Sequence, residues 1–192
     1  MLWLEPALSL ALGVLAAVLL GAIPAERLPE EDRLDALDAF FSLSFVAYAA
    51  VGALIAARHP GNAVGWLFCA FGLLFPVVGA LYSYATYGVY ASAEGLPGQE
   101  AAAWVFAWSG ETVFLALIML ILLFPNGRFL TPRWRRVGVA AVATAIAFGL
   151  AIAFDPGPLY TFDKISNPLG IDAAGGVLEA IVDIGSVAYT VL

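Results

Sequence analysis

The sequence predicts an all-α fold, a polytopic membrane bundle of about six transmembrane helices. Hydrophobic residues fill 62% of the 192 positions and charged residues only 12%, with a mean hydropathy of +0.94. Soluble domains carry a charged share of about 25%. A soluble core of this size would leave large apolar faces in water, whereas a bilayer accommodates them. The lipid bilayer is therefore the first expected partner.

Five apolar stretches are long enough to be full spans, because about 18 apolar residues suffice to cross the hydrocarbon layer, and a sixth, shorter stretch runs to the last residue. They cover 2–23, 39–57, 63–87, 101–124, 137–154 and 177–192. We expect one transmembrane domain over 1–192. The sixth stretch is still apolar at the last residue, so we expect either a helix truncated at the chain end or a short, tilted final helix.

Local start signals accompany most of these spans. Pro29, which three acids follow, predicts the beginning of the second helix. Asn62 and Asp172 are predicted N-caps of the third and sixth helices. Thr131 followed by Pro132 is the cap-plus-proline signal of the fifth.

Positive charge falls on alternate loops. Loops 58–62 and 125–136 hold five arginines, one histidine and no acid, whereas the other connections hold three basic residues and eleven acids. Loops that remain in the cytoplasm are enriched in Lys and Arg. We therefore expect both arginine loops and the N-terminus on the cytoplasmic side.

Composition also argues against several functions. A net charge of −7 is unsuited to nucleic acid. One cysteine, Cys69, excludes an intramolecular disulfide and a cysteine-based zinc site. The only histidine is His59, and neither H-E-x-x-H nor G-x-x-x-x-G-K-[ST] occurs. We expect no metal, no cofactor and no catalytic residue in this chain.

Acids inside apolar stretches are the candidate functional residues, because an ionisable group is costly within a membrane. Glu111 shares a helical face with two tryptophans, and two further acids share a face of the sixth helix. We expect an outward-facing cavity between helices three, four and six that receives a cationic or amphiphilic signal. The alternative is an interfacial tyrosine belt with hydrated acids. The predicted lining residues are Glu111, Trp104, Trp108, Tyr82, Tyr84, Glu179 and Asp183.

Small residues form a further pattern in the second span. Ala49, Ala53 and Ala57 repeat every fourth residue. Such faces let helices approach closely. The pattern fits packing within the chain or a dimer seam.

Three segments carry a family resemblance: 59–67 (HPGNAVGWL), 123–135 (LFPNGRFLTPRWR) and 167–171 (NPLGI). Together they resemble the N-terminal membrane region of bacterial sensor histidine kinases of the actinobacterial type, in which similar motifs recur in this order. Trp134 is also a predicted interfacial anchor. The cytoplasmic loop residues of the resemblance are Pro60, Asn62, Gly65, Trp66, Pro125, Gly127, Arg128, Pro132, Arg133, Trp134 and Arg135.

The resemblance implies a sensory input module in a bacterial plasma membrane. In that family a cytoplasmic linker, a dimerising phospho-acceptor helix pair and an ATP-binding domain would follow, so the resemblance implies a cytoplasmic output domain that is absent from this chain. The implied partners are a second copy of the parent protein, a small ligand or membrane stimulus, and a response regulator. This chain alone would not be an enzyme, and His59, in a short loop, would not be the phospho-acceptor.

Other functions remain open from the sequence. A small transporter or channel is one alternative, although we find no inverted repeat between the two halves of the chain. A sensor module of a different output enzyme is another. A membrane enzyme would need an acid-only site such as Glu111 with Asp183.

Overall fold

A computed structural model describes residues 4–29, 33 and 36–191, without the side chains of 36–39, 111–112 and 184–191. The described residues form six α-helices and a small two-stranded antiparallel sheet. The helices are α1 (Leu4–Gly21), α2 (Ala36–Arg58), α3 (Ala63–Tyr90), α4 (Gln99–Leu123), α5 (Pro132–Phe154) and α6 (Gly175–Val191). The strands are β1 (Pro158–Leu159) and β2 (Phe162–Ser166), and a 3-10 turn covers Asp172–Ala174.

Helices α1 to α5 are each long and apolar enough to cross a membrane, with the apolar part of α2 running from Phe40 to Arg58. The predicted all-α membrane bundle is thereby confirmed, and the chain is a multi-pass membrane protein. Helix α6 has 17 residues and is not one of these five. Its membrane crossing stays a prediction.

Two of the predicted helix starts are confirmed. The Asn62 side chain accepts from the backbone N–H of Val64 at the start of α3. Thr131 accepts from Trp134 N, and Pro132 is the first residue of α5. Both caps satisfy backbone donors that have no partner within the helix.

Two other predicted starts are wrong. Helix α2 begins at Ala36, and the acids at 30–32 lie outside the described residues. Pro29 lies outside any helix. Asp172 opens the 3-10 turn, which Ile171 precedes as N-cap, and α6 starts three residues later at Gly175.

Helix α3 lies at the centre and packs against α1, α2 and α4, while α5 packs against α4 and α6 against α5. The α2–α3 contact is close because small residues meet there. A Cβ on Gly72 would lie 2.8 Å from Ala49 Cα. Ala49 and Ala53 are fully buried, so these two members of the small-residue series pack within the chain, while Ala57 is exposed.

The helices run alternately and therefore present two distinct ends. The arginine end carries residues 58–62 and 124–136, and α1 begins there, because Leu20 and Ile23 at its far end pack beside Tyr87 of α3. The hairpin end carries 22–29, 91–98 and the β-hairpin. Both arginine loops thus lie at one end, as their charge pattern predicted.

Candidate functional site

The two longest motifs meet at the arginine end. Asn62 Nδ2 donates to the carbonyl oxygen of Pro125 at 3.1 Å, while its Oδ1 accepts from Val64 N at 3.0 Å. Gly127 has a φ of +70°, and a Cβ there would lie 2.6 Å from Asn62 Oδ1 and 2.7 Å from Ala63 N. A glycine is therefore required both by the backbone conformation and by the close approach. We call these two loops, 59–62 and 124–128, the loop clasp.

Two further residues of the first motif, Trp66 and Gly65, make close contacts near the helix ends. Trp66 Nε1 donates to the Pro60 carbonyl at 2.9 Å, which fixes the indole over the loop. A Cβ on Gly65 would lie 2.7 Å from Ala56 N, so this glycine permits the close crossing of α2 and α3. Five of the motif residues are thus joined by direct contacts: Asn62 with Pro125, Asn62 with Gly127, and Trp66 with Pro60.

Phe129 connects the clasp to α5. It packs in a cluster with Val64, Leu120 and Leu123, and a Cβ on Gly138 would lie 2.6 Å from its Cε1. Phe129 was not among the predicted site residues, although its position within the 123–135 motif could have indicated a role in this contact.

Beside the clasp lies an open groove of about 680 Å³. A second depression of about 590 Å³ adjoins it at the start of α5. Arg128 lines both, Arg135 lines the second, and Trp134 is exposed to 46% nearby. The first groove is lined by His59, Gly61, Asn62, Asn126, Arg128, Phe129 and Leu130.

The third motif caps the opposite end of α5. Asn167 Nδ2 donates to the carbonyls of Ile152, Ala153 and Asp155, at 3.3, 3.1 and 2.8 Å. Its Oδ1 accepts from Leu169 N at 2.9 Å. These carbonyls have no partner further along the helix, so Asn167 satisfies the C-terminus of α5 together with Trp104 Nε1, which donates to Ala153, and Ile171 N, which donates to Phe154.

Of the predicted signal-binding residues, the two tryptophans line a cavity of about 250 Å³ between α4 and α5. Trp104 Nε1 donates to the Ala153 carbonyl at 2.8 Å. Trp108 Nε1 is buried and has no hydrogen-bond partner among the described residues. The other walls are apolar: Leu115, Ala145, Ile146, Gly149, Leu150, Ala153 and Phe154.

Tyr82 and Tyr84 do not line this cavity. The Tyr82 ring lies 4.9 Å from that of Phe106 and 5.5 Å from that of Phe162, between centroids. Tyr84 donates from its hydroxyl to the Pro97 carbonyl at 2.8 Å. Phe162 belongs to the hairpin, whose apolar residues pack onto α3 and α4 in the region where the sequence predicted a cavity.

The acids lie elsewhere again. Glu179 and Asp183 are exposed on α6 and interact electrostatically with Asp155 at the end of α5. Burial raises the pKa of the Asp155 carboxyl above its ordinary value, and the charges of Glu179 and then Asp183 add to the shift. The Glu111 side chain is outside the described part of the structure. The predicted lining residues are thus divided among the α4–α5 cavity, the hairpin end of α3 and the exposed surface of α6. Asp155, which was not among the predicted residues, lies close enough to the two α6 acids for their charges to act on it.

Comparisons of the chain with protein-family models, curated proteins and solved structures returned no match.

Proposed function

We propose that this chain is the membrane-embedded input module of a bacterial sensor histidine kinase. The observation that carries the proposal is the loop clasp. Each of the two longer motifs of the resemblance supplies the contact partner of the other, since Asn62 bonds Pro125 and Gly127 leaves room for Asn62. This contact gives a physical reason for the two motifs to occur together.

The charge distribution supports an orientation in the bacterial plasma membrane. The arginine end faces the cytoplasm, because arginine-bearing loops are retained there. Helix α1 begins at this end, so the N-terminus is cytoplasmic. Helix α6 runs from the hairpin end towards the arginine end and delivers whatever follows it to the cytoplasm.

Transmission passes through α5 and α6. Helix α6 packs mainly on α5, and the carboxyl groups of Asp155, Glu179 and Asp183 lie at this contact. A helix held mainly by one neighbour can shift when that neighbour shifts. In the parent homodimer, such a shift controls the ATP-dependent phosphorylation of a histidine and then of a response regulator.

The signal enters at the cavity between α4 and α5. Its walls are apolar, and one of them is α5 itself. A small amphiphile from the bilayer, or a change of membrane state, therefore acts on the helix that carries α6. Trp104 and Trp108 are the predicted contact residues.

The test is phosphorylation by the product of the complete gene. The reading frame should continue past Leu192 into a phospho-acceptor helix and an ATP-binding domain. The purified protein in nanodiscs should then incorporate the γ-phosphoryl group of ATP on histidine. His59→Ala should leave this labelling unchanged, because His59 lies in a short loop between α2 and α3 and not on a phospho-acceptor helix. An immediate stop codon, or loss of label in His59→Ala, would refute the proposal, and the former would favour a small transporter.

A further inference from the structure

Positive charge is concentrated at one end of an acidic chain. The net charge is −7, yet segments 58–62 and 124–136 of the arginine end hold five arginines and no acid. Glu5, near the start of α1, lies beside Cys69 of α3, and its Oε2 is buried without a hydrogen-bond partner among the described residues. No hydrogen bond or ion pair joins the five guanidinium groups to another residue in the described part of the chain. Those arginines are Arg58, Arg128, Arg133, Arg135 and Arg136.

Two of these arginines border depressions in the surface. Arg128 lies between the two grooves, and Arg135 borders the second, one turn into α5. The N-terminus of α5 adds the positive end of a helix dipole at the same groove. Thr131 and Pro132, which begin that helix, also line it.

Apolar side chains adjoin the same grooves. Leu130 is exposed to 79% and Phe129 borders both depressions. Trp134, in the first turn of α5, is exposed to 46%, and tryptophan favours the headgroup level of a bilayer. A ligand at this place therefore meets positive charge on one side and apolar surface on the other.

We propose that this groove binds the headgroup of an anionic phospholipid, with its phosphodiester between Arg128 and Arg135. Guanidinium groups bind phosphate through paired charge-assisted hydrogen bonds. The acyl chains pass Leu130 and Phe129 into the bilayer. A free phosphate ion would use the charges but leave the exposed apolar residues without a partner, which is why a lipid is the occupant.

Other arginines of the same end provide the matched control. Arg58 and Arg136 are exposed and carry the same charge, but neither lines the two grooves. A diffuse attraction to anionic lipid would depend on all of them alike. A headgroup site depends on Arg128 and Arg135 far more.

The experiment is lipid titration of the purified chain in detergent, read by native mass spectrometry. Phosphatidylglycerol and phosphatidylcholine are compared on wild type, Arg128→Gln/Arg135→Gln and Arg58→Gln/Arg136→Gln. The first double variant should bind phosphatidylglycerol roughly thirtyfold more weakly, from two lost contacts, while the second stays within about threefold of wild type. Arg128→Lys/Arg135→Lys keeps the charge but loses the paired geometry, so its affinity should lie between those of wild type and the first double variant.

Three outcomes would overturn the proposal. Equal loss in the two glutamine variants would mean diffuse electrostatics. Equal binding of phosphatidylcholine by wild type would mean no headgroup recognition. Displacement of the bound lipid by an equal concentration of inorganic phosphate would mean a free-anion site. Circular dichroism should show the same helix content in all variants, which excludes misfolding as the cause of weaker binding.

Discussion

Asn62 and Pro125 lie 63 positions apart in the chain and are joined by a hydrogen bond of 3.1 Å from Asn62 Nδ2 to the Pro125 carbonyl. The same side chain caps α3 through its Oδ1. An amide carries its donor and its acceptor on two separate atoms, so asparagine suits the position better than aspartate, which has no donor when ionised. The start of α3 and the end of α4 are thereby fixed to one another.

Asn62→Ala should lower the free energy of unfolding by about 2 kcal/mol, from one lost cap and one lost tertiary hydrogen bond. Asn62→Asp keeps the acceptor and loses the donor, so its loss should be smaller. Unfolding in detergent, followed by circular dichroism, measures both. Asn126→Ala is the control, since Asn126 is an exposed neighbour in the groove. A control as destabilised as Asn62→Ala would contradict the role of Asn62.

Substitution of Gly127 and of Gly98 distinguishes the cost of backbone strain from the cost of close contact. Their φ values are +70° and +73°, but a Cβ on Gly98 meets nothing within 4 Å, whereas one on Gly127 meets Asn62 and Ala63. Gly98→Ala should cost about 1 kcal/mol of unfolding free energy. Gly127→Ala should cost about 1–3 kcal/mol more, because the loop clasp must open. Equal losses in the two variants would show that the clasp is not tight.

Trp104 and Trp108 form a matched pair one helical turn apart. Both lose similar volume on replacement by Phe, but Trp104 Nε1 donates to Ala153, whereas Trp108 Nε1 has no hydrogen-bond partner in the part of the chain that the structure describes. Trp104→Phe should therefore lower the free energy of unfolding by about 1 kcal/mol more than Trp108→Phe. Thermal unfolding in detergent tests this difference. A larger loss in Trp108→Phe would reveal a partner for its indole N–H.

Protonation of Asp155 should strengthen the docking of α6 on α5. The pKa of Asp155 is raised in the folded chain, so its protonated form is favoured there. Its stabilising contribution is complete below the ordinary pKa of 3.8 and is lost as the pH rises through the raised value. Amide hydrogen exchange in α6, corrected for the intrinsic rate, should slow as the pH falls through this window.

Asp155→Asn should produce the same slower exchange at neutral pH, because the repulsion from Glu179 and Asp183 is removed. Asp163→Asn is the control, since Asp163 is an exposed acid of the hairpin. Faster exchange in Asp155→Asn, or an equal effect in the control, would contradict this account of the α5–α6 contact.

Most of the helices could be predicted because their signals are local. The predicted start of the third span, at 63, coincides with the start of α3, since Asn62 caps its own helix and the apolar run begins at once. The fifth helix starts at Pro132, as its cap-plus-proline signal predicted, although the apolar span was predicted only from 137 because the first turn is arginine-rich. Caps and prolines identify the helix start independently of the membrane boundary.

The candidate site was less predictable, because it depends on contacts between distant segments. Hairpin strands of two and five residues give little periodicity, so nothing local indicated that Phe162 would pack against Tyr82 and fill the space between α3 and α4. Helix α6 packs on α5. Its acids then meet Asp155, whose position at the end of α5 depends on the cap provided by Asn167.

Labelling of single cysteines on intact bacteria tests the central claim, a membrane bundle whose arginine end faces the cytoplasm. In a Cys69→Ala background, Leu130→Cys marks the arginine end and Tyr160→Cys the hairpin turn, where the native side chains are 79% and 97% exposed. A membrane-impermeant maleimide should label Tyr160→Cys on intact cells and Leu130→Cys only after permeabilisation. Labelling of Leu130→Cys from outside, with Tyr160→Cys protected, would contradict the account.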